Sequence, residues 1–261
     1  MVHSLKSTAK RIPLLGPLLQ KAYLSLKGEG KIRPITTGHL AGLKYHQYRW
    51  STPNPDLVQT NWDDPLPNAF IHHIKNKKRF YDIGANWGFY VLLASKHKDP
   101  HCQIVAFEPH PQSAKELESQ ITLNQITSAL VIQAALSDQS GHLQFADTGS
   151  AIGQKLATLN DSPQSAQTIT VPTMTLDQAT QQFGPPDLIK LDVEGAENLV
   201  IAGGHQTLQH HRPTLLVEIH GQDRATPFYT KMHHLHYQCQ TPTGEPVTNQ
   251  AYHHHLICLP T

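Results

Sequence analysis

The stretch that decides the fold is Phe80–Tyr90, FYDIGANWGFY. Phe80, Tyr81 and Ile83 have the aromatic and β-branched character of a buried strand. Gly84 permits a positive φ or a close approach at the turn, and Gly88 lets the following helix pack tightly. Val91, Leu92, Leu93 and Ala94 continue as helix. A strand that enters a helix through such a turn leaves free backbone N–H groups beside a crevice. An elongated, nucleotide-like ligand can lie there.

The run Gly84-Ala85-Asn86-Trp87-Gly88-Phe89 departs from the dinucleotide fingerprint G-x-G-x-x-G. Asn86 stands where the middle glycine would admit a pyrophosphate. Asp82, just before the turn, adds a carboxylate that repels phosphates and suits a ligand carrying an ammonium and a sulfonium. S-adenosylmethionine is such a ligand. The same two residues disfavour a nicotinamide-dependent oxidoreductase.

Outward from this unit the chain alternates strands with helices. Leu66–Ile74 reads as a helix before the first core strand. Gln103–Phe107 reads as the second strand and ends at Glu108-Pro109, after which His110-Pro111 open a helix through Leu123. Val131–Leu136 is expected as strand three. Gly141–Phe145 and Thr168–Val171 alternate like a hairpin. Leu188–Leu191 and Leu215–Ile219 are expected as strands four and five, with helices at Leu176–Phe183, Glu197–Ala202 and Phe228–Leu235. Tyr237–Thr241 and His255–Leu259 should pair at the end. The pattern predicts an α/β, doubly wound, mostly parallel sheet with a C-terminal antiparallel strand pair.

In such sheets the ligand lies outside the carboxyl ends of the strands. Polar residues concentrate there: Asp82, Gly84 and Asn86; Glu108; Ala135-Leu136-Ser137-Asp138; Asp192, Glu194 and Gly195; Glu218 and His220. Glu108, some twenty residues past the glycine turn, is placed to accept hydrogen bonds from a ribose diol. His220 is the first choice as general base, with Glu218 on the same face of the strand to orient it. Asp192 is expected at the cofactor's amino-acid end, and Glu194 or Glu197 at the acceptor. Both glutamates also suit the start of the helix after Gly195. A hard cation on Asp192, Glu194 and Glu218 is the minority reading, because no fixed-spacing set of oxygen ligands is present, and no metal is expected.

FYDIGANWGFY, FEPHP, AALSDQSGHLQF, TLDQ, IKLDVEGAE and LLVEIHG, in that order, resemble the FkbM family of S-adenosylmethionine-dependent methyltransferases. The resemblance runs from about Gly38 to the C-terminus. It implies a Rossmann-like class I methyltransferase core that O-methylates hydroxyls of sugars or natural products. By this resemblance Asp82, Gly84, Ala85, Asn86 and Gly88 would hold the methionine part of S-adenosyl-L-methionine. Glu108 would hold the ribose, and Ala135 and Leu136 would lie near the adenine. Gln120 departs from the family, which often has Asn there. A module that binds the cofactor without turnover is the alternative.

The 261 residues suffice for one large domain, read as a core over 66–261 preceded by an extension and cap over 1–65. A net charge of +1 gives no reason to expect a nucleic-acid partner. The expected partner is a small-molecule, sugar or glycan acceptor. Three scattered cysteines fit a reducing, cytoplasmic setting without a disulfide framework. Residues 1–33 are basic, with a short amphipathic helix from about Pro17. That segment suits packing on the domain or, as the rival reading, weak peripheral contact with the inner membrane surface. Many of the 19 histidines fall in clusters read as polar surface.

Overall fold

The computed structural model describes residues 31–47, 65–147, 167–247 and 252–261. The basic segment expected to form an amphipathic helix, much of the cap, and the polar stretch between the hairpin strands lie outside the described residues. Lys31–Pro34 (β1) and Lys44–Gln47 (β2) form an antiparallel pair. Pro65–Ile74 (α1), Arg79–Ile83 (β3), Phe89–His97 (α2), Gln103–Phe107 (β4), Pro111–Leu123 (α3) and Ala129–Ile132 (β5) follow. Ala135–Ser137 (β6), Gly141–Asp147 (β7) and Gln167–Thr175 (β8) make a separate three-stranded sheet in the order β6-β8-β7. Then come Leu176–Phe183 (α4), Leu188–Leu191 (β9), Glu197–Ala202 (α5), His205–His210 (α6), Thr214–Glu218 (β10), Gln222–His234 (α7), Tyr237–Gln240 (β11) and His255–Pro260 (β12).

The main sheet has seven strands in the order β11-β12-β10-β9-β3-β4-β5. β5, β4, β3, β9 and β10 run parallel, and β12 is antiparallel to both β10 and β11. The order reverses between β3 and β9, and ligands of doubly wound sheets lie at such a reversal.

Strand periodicity sends alternate residues to opposite faces. Phe80, Ile104, Ala106, Leu188 and Leu216 pack with α1, α2 and the β1–β2 hairpin on one face. Tyr81, Ile83, Val105, Phe107, Ile189, Leu191, Leu215 and Val217 pack with α4 to α7 on the other. Asp82 and Lys190 belong to the first face, where they interrupt an otherwise apolar layer; they are direct cross-strand partners.

The hairpin is fastened to α3 by two side-chain amides. Gln120 donates from Nε2 to His46 O at 3.1 Å and accepts His46 N–H at 3.0 Å. Asn124 does the same for Lys44, at 2.8 Å each way. The amides thus take the place of a neighbouring strand. This explains the glutamine at a position where the resembled family often has asparagine: it is fully buried and bonds the hairpin.

Two expected elements differ. Val131–Leu136 is not one strand: Ala134 N–H bonds to Ile132 O at 2.9 Å, closing a three-residue turn that sends β6 to the smaller sheet. The helix expected at Phe228 begins at Gln222 and carries Pro227 within it. No helix among the described residues is long and apolar enough to cross a membrane.

Candidate active site

The turn after β3 is shaped by the neighbouring strand. Gly84 has φ 84°, and a Cβ there would lie 1.7 Å from the carbonyl oxygen of Asp192. Asp192 N–H in turn donates to Ile83 O at 3.0 Å. The close approach that requires glycine is therefore by the extension of β9. Gly88, φ 100°, would place a Cβ 2.4 Å from Leu117 Cδ1, so its role is to seat α2 against α3.

Glu108, at the end of β4, reaches across this turn. Its Oε2 accepts Asn86 N–H at 2.8 Å and its Oε1 accepts His110 N–H at 2.9 Å. Burial pushes its carboxyl up to about 7, against the lowering by the two backbone donors. Each carboxylate oxygen has more than one lone pair, so capacity to accept from a ligand remains.

Gly84, Asn86, Glu108, Ala135, Leu136, Asp192 and Glu194 all line one open cleft of about 790 Å³, part of it bulk solvent. Phe107, Leu143 and Phe145 supply apolar wall. Three carboxylates line it, with no Lys, Arg or His among the lining residues. Asn86 Oδ1 is buried without a hydrogen-bond partner, an acceptor awaiting a donor. This donor set fits a cationic, ribose-bearing ligand such as S-adenosylmethionine and is ill suited to a pyrophosphate.

Asp82, Ala85 and Gly88 do not line the cleft. Asp82 is 2% exposed and lies beneath the turn. Burial pushes it up to about 7, against the pull of the Lys190 ammonium. Lys190 itself is wholly enclosed, with Nζ 3.4 Å from Asp192 Oδ2 and 3.6 Å from Glu218 Oε2. The Tyr90 ring centroid is 5.0 Å away. Burial disfavours its charge, but Asp192, Glu218 and Asp82 outweigh that and hold it above the usual lysine value. Lys190 is thus the counter-ion from which the carboxylates of β3, β9 and β10 take their positions.

His220, just past β10, stands behind the wall formed by Asp192 and Glu194. Its Nδ1 is 2.9 Å from Glu197 Oε1. Glu197 is fully buried, and the same oxygen accepts Gly195 N–H at 2.8 Å. With Nδ1–H donated to this carboxylate, the neutral ring presents its Nε2 lone pair outward. Nε2 is 3.6 Å from Glu194 Oε2, 3.7 Å from Glu218 Oε1 and 3.8 Å from Asp192 Oδ1. Burial lowers the ring's proton affinity, but the Glu197 bond and the Glu194 and Asp192 carboxylates outweigh it and hold His220 above its ordinary value.

The partner that orients His220 is therefore Glu197, not Glu218 as strand alternation suggests. Glu218 is engaged elsewhere, with Oε1 2.8 Å from His254 Nε2 and Oε2 3.6 Å from His255 Nε2. Sequence reasoning missed Lys190, His254 and His255. A lysine inside the buried run Leu188–Leu191 was the available signal, since a strand buried on both faces should be apolar throughout. For His254 and His255 no local signal existed, because their placement depends on β12 pairing beside β10.

A Rossmann-like α/β sheet with this strand order, and an acid-lined cleft at its reversal point, defines a class I methyltransferase fold. The family model for the methyltransferase FkbM domain matches residues 82–239, and the chain belongs to that family. It is 29% identical over 146 residues to the 2-O-methyltransferase NoeI of Sinorhizobium fredii, a match that covers 50% of this chain and 59% of NoeI. Among solved structures, the methyltransferase FkbM of Methylobacillus flagellatus aligns with TM-score 0.48 and 14% identity over 70% of this chain and 44% of its own. A SAM-dependent O-methyltransferase of Thermotoga maritima aligns with TM-score 0.47 and 14% identity over 82% and 68%. The chain thus spans less than two thirds of the length of NoeI and of the Methylobacillus protein.

Proposed function

We propose that this methyltransferase uses S-adenosyl-L-methionine to methylate a hydroxyl of a sugar, glycan or secondary metabolite. The observation that carries the reading is the geometry of His220. Its Nδ1 is fixed by buried Glu197, and its Nε2 is directed toward the Asp192–Glu194 wall of the cleft. When bound, the cofactor supplies an electrophilic methyl group on a sulfonium. Asp192 and the Gly84 turn hold its amino-acid end, Glu108 the ribose diol, and Ala135 and Leu136 flank the adenine. His220 Nε2 takes the proton of the acceptor hydroxyl, and Glu197 stabilises the imidazolium that forms. Glu194 binds a polar group of the acceptor. The likeness to NoeI, a 2-O-methyltransferase, supports an oxygen acceptor. We take residues 66–261 as the methyltransferase core and 1–65 as its extension.

The test is calorimetry with S-adenosylhomocysteine, then transfer of labelled methyl from S-adenosylmethionine to a panel of polyhydroxylated acceptors. Binding with transfer to oxygen supports the reading. Binding without transfer to any acceptor favours the non-catalytic module, and no binding removes both.

A further inference from the structure

We propose that Glu218, His254 and His255 bind one divalent transition-metal ion of the zinc or cobalt type at the end of β10. The backbone builds the site. Glu218 and His255 are direct partners across the β10–β12 pair. One residue further on, Ile219 N–H donates to His254 O at 2.8 Å, and His254 Nδ1 returns to Ile219 O at 3.0 Å. A carbonyl oxygen only accepts, so Nδ1 carries a proton, and this bond turns Nε2 toward Glu218. Nε2 lies 2.8 Å from Glu218 Oε1. A metal ion between the two would take the position that a ring proton otherwise fills.

The spacing fits an ion. One donor atom each from Glu218, His254 and His255 lies within 4.8 Å of the others. Two ligands about 2.1 Å from one ion are about 3.0 Å apart at a right angle and about 3.4 Å apart in a tetrahedron. Glu218 Oε1 is 2.8 Å from His254 Nε2 and its Oε2 is 3.6 Å from His255 Nε2, separations close to those values for a carboxylate that meets the ion with both oxygens. Two imidazoles with one carboxylate are donors for zinc, cobalt, iron or nickel; magnesium and calcium prefer oxygen alone. The Ile219 carbonyl is the outer partner that a metal-bound imidazole takes on its other nitrogen. Three protein ligands leave a position open. His220 Nε2, 3.7 Å from Glu218 Oε1, stands beside it. An acceptor oxygen on the ion would be within reach of the proposed base; this last step, unlike ion binding itself, rests on the methyltransferase reading.

The experiment uses the full chain freed of metal with a chelator, then titrated at neutral pH with cobalt(II), zinc(II) or magnesium(II). Cobalt is read by visible absorption and all three by calorimetry and thermal midpoint. The expected result is one tight equivalent of cobalt or zinc, a d–d absorption band, a raised midpoint, and no response to magnesium. His254→Ala and His255→Ala should each weaken cobalt binding at least tenfold, with S-adenosylhomocysteine affinity retained as the measure of folding. Failure of the wild-type chain to bind a tight equivalent overturns the proposal, as does unchanged affinity in the double variant, which would assign the ion to surface histidines. Because cofactor binding is measured separately, loss of the metal site and loss of the methyltransferase reading give different results.

Discussion

His220 and Glu197 are 23 residues apart in the chain, yet their side chains meet at 2.9 Å. The tight bend through Glu194 and Gly195, both with positive φ, turns the start of α5 back toward the end of β10. That bend makes the pair, and the pair sets the tautomer of the imidazole. His220→Ala should lower kcat at least ~100-fold, the usual contribution of a general base. Cofactor affinity, measured by calorimetry, should change little. Glu197→Gln should lower kcat with little change in KM for the acceptor, because the glutamine cannot stabilise the imidazolium.

Glu108 makes the cleft sensitive to pH. Its carboxyl is raised to about 7, so it is mostly protonated at pH 6 and mostly ionised at pH 8. Only the ionised form has every oxygen lone pair available to the ribose hydroxyls. Affinity for S-adenosylhomocysteine should therefore rise between pH 6 and 8. In Glu108→Gln that rise should vanish, with the weaker binding evident at pH 8. Parallel slopes for the two proteins would refute the assignment.

Lys190 balances three carboxylates at once, buried Asp82 and half-buried Asp192 and Glu218. Lys190→Met leaves Asp82 enclosed without its cross-strand partner and should cost ~3–5 kcal/mol in denaturant unfolding. Asp82→Asn combined with Lys190→Met should cost less than the sum of the single changes. Additive losses would show that the two groups do not interact.

Gly84→Ala confronts both a positive φ and the Asp192 carbonyl 1.7 Å from the new Cβ. Backbone strain alone is about 1–2 kcal/mol, and the collision adds to it. A fall in unfolding free energy larger than for Gly88→Ala is expected, because the Leu117 side chain opposite Gly88 can shift while the β9 backbone cannot.

The amide groups of Gln120 and Asn124 stand in for a strand. Gln120→Leu should speed hydrogen exchange at the His46 amide by about fivefold, corresponding to loss of one hydrogen bond worth ~1 kcal/mol. Exchange at the Lys44 amide, held by Asn124, should change less. Equal acceleration at both amides would mean that the hairpin detaches as a unit.

The parallel sheet was legible because its strands are short apolar runs bounded by turn residues, and the cleft because the polar residues at their carboxyl ends are few and acidic. Gly84, Asn86, Glu108, Ala135, Leu136, Asp192 and Glu194 come together as the order of strands requires. What local pattern could not give were contacts set by chain direction after a bend. The turn at Gln133 is hidden within an otherwise apolar run, and Pro227 masks the first turns of α7. Glu197 reads as an ordinary acid in the first turn of a helix, and only the fold shows its carboxylate facing an imidazole just past the next strand. Asp82 looks like a ligand residue by position, and the fold encloses it beneath the turn, across the strand pair from Lys190.

β12 is made after β11 and lies between it and β10. During synthesis β11 has no edge to join until residues 255–260 have emerged from the ribosome. The nascent sheet therefore stops at β10. β12 and β11 join together, so that edge of the sheet, with His254 and His255 beside Glu218, forms in a single step.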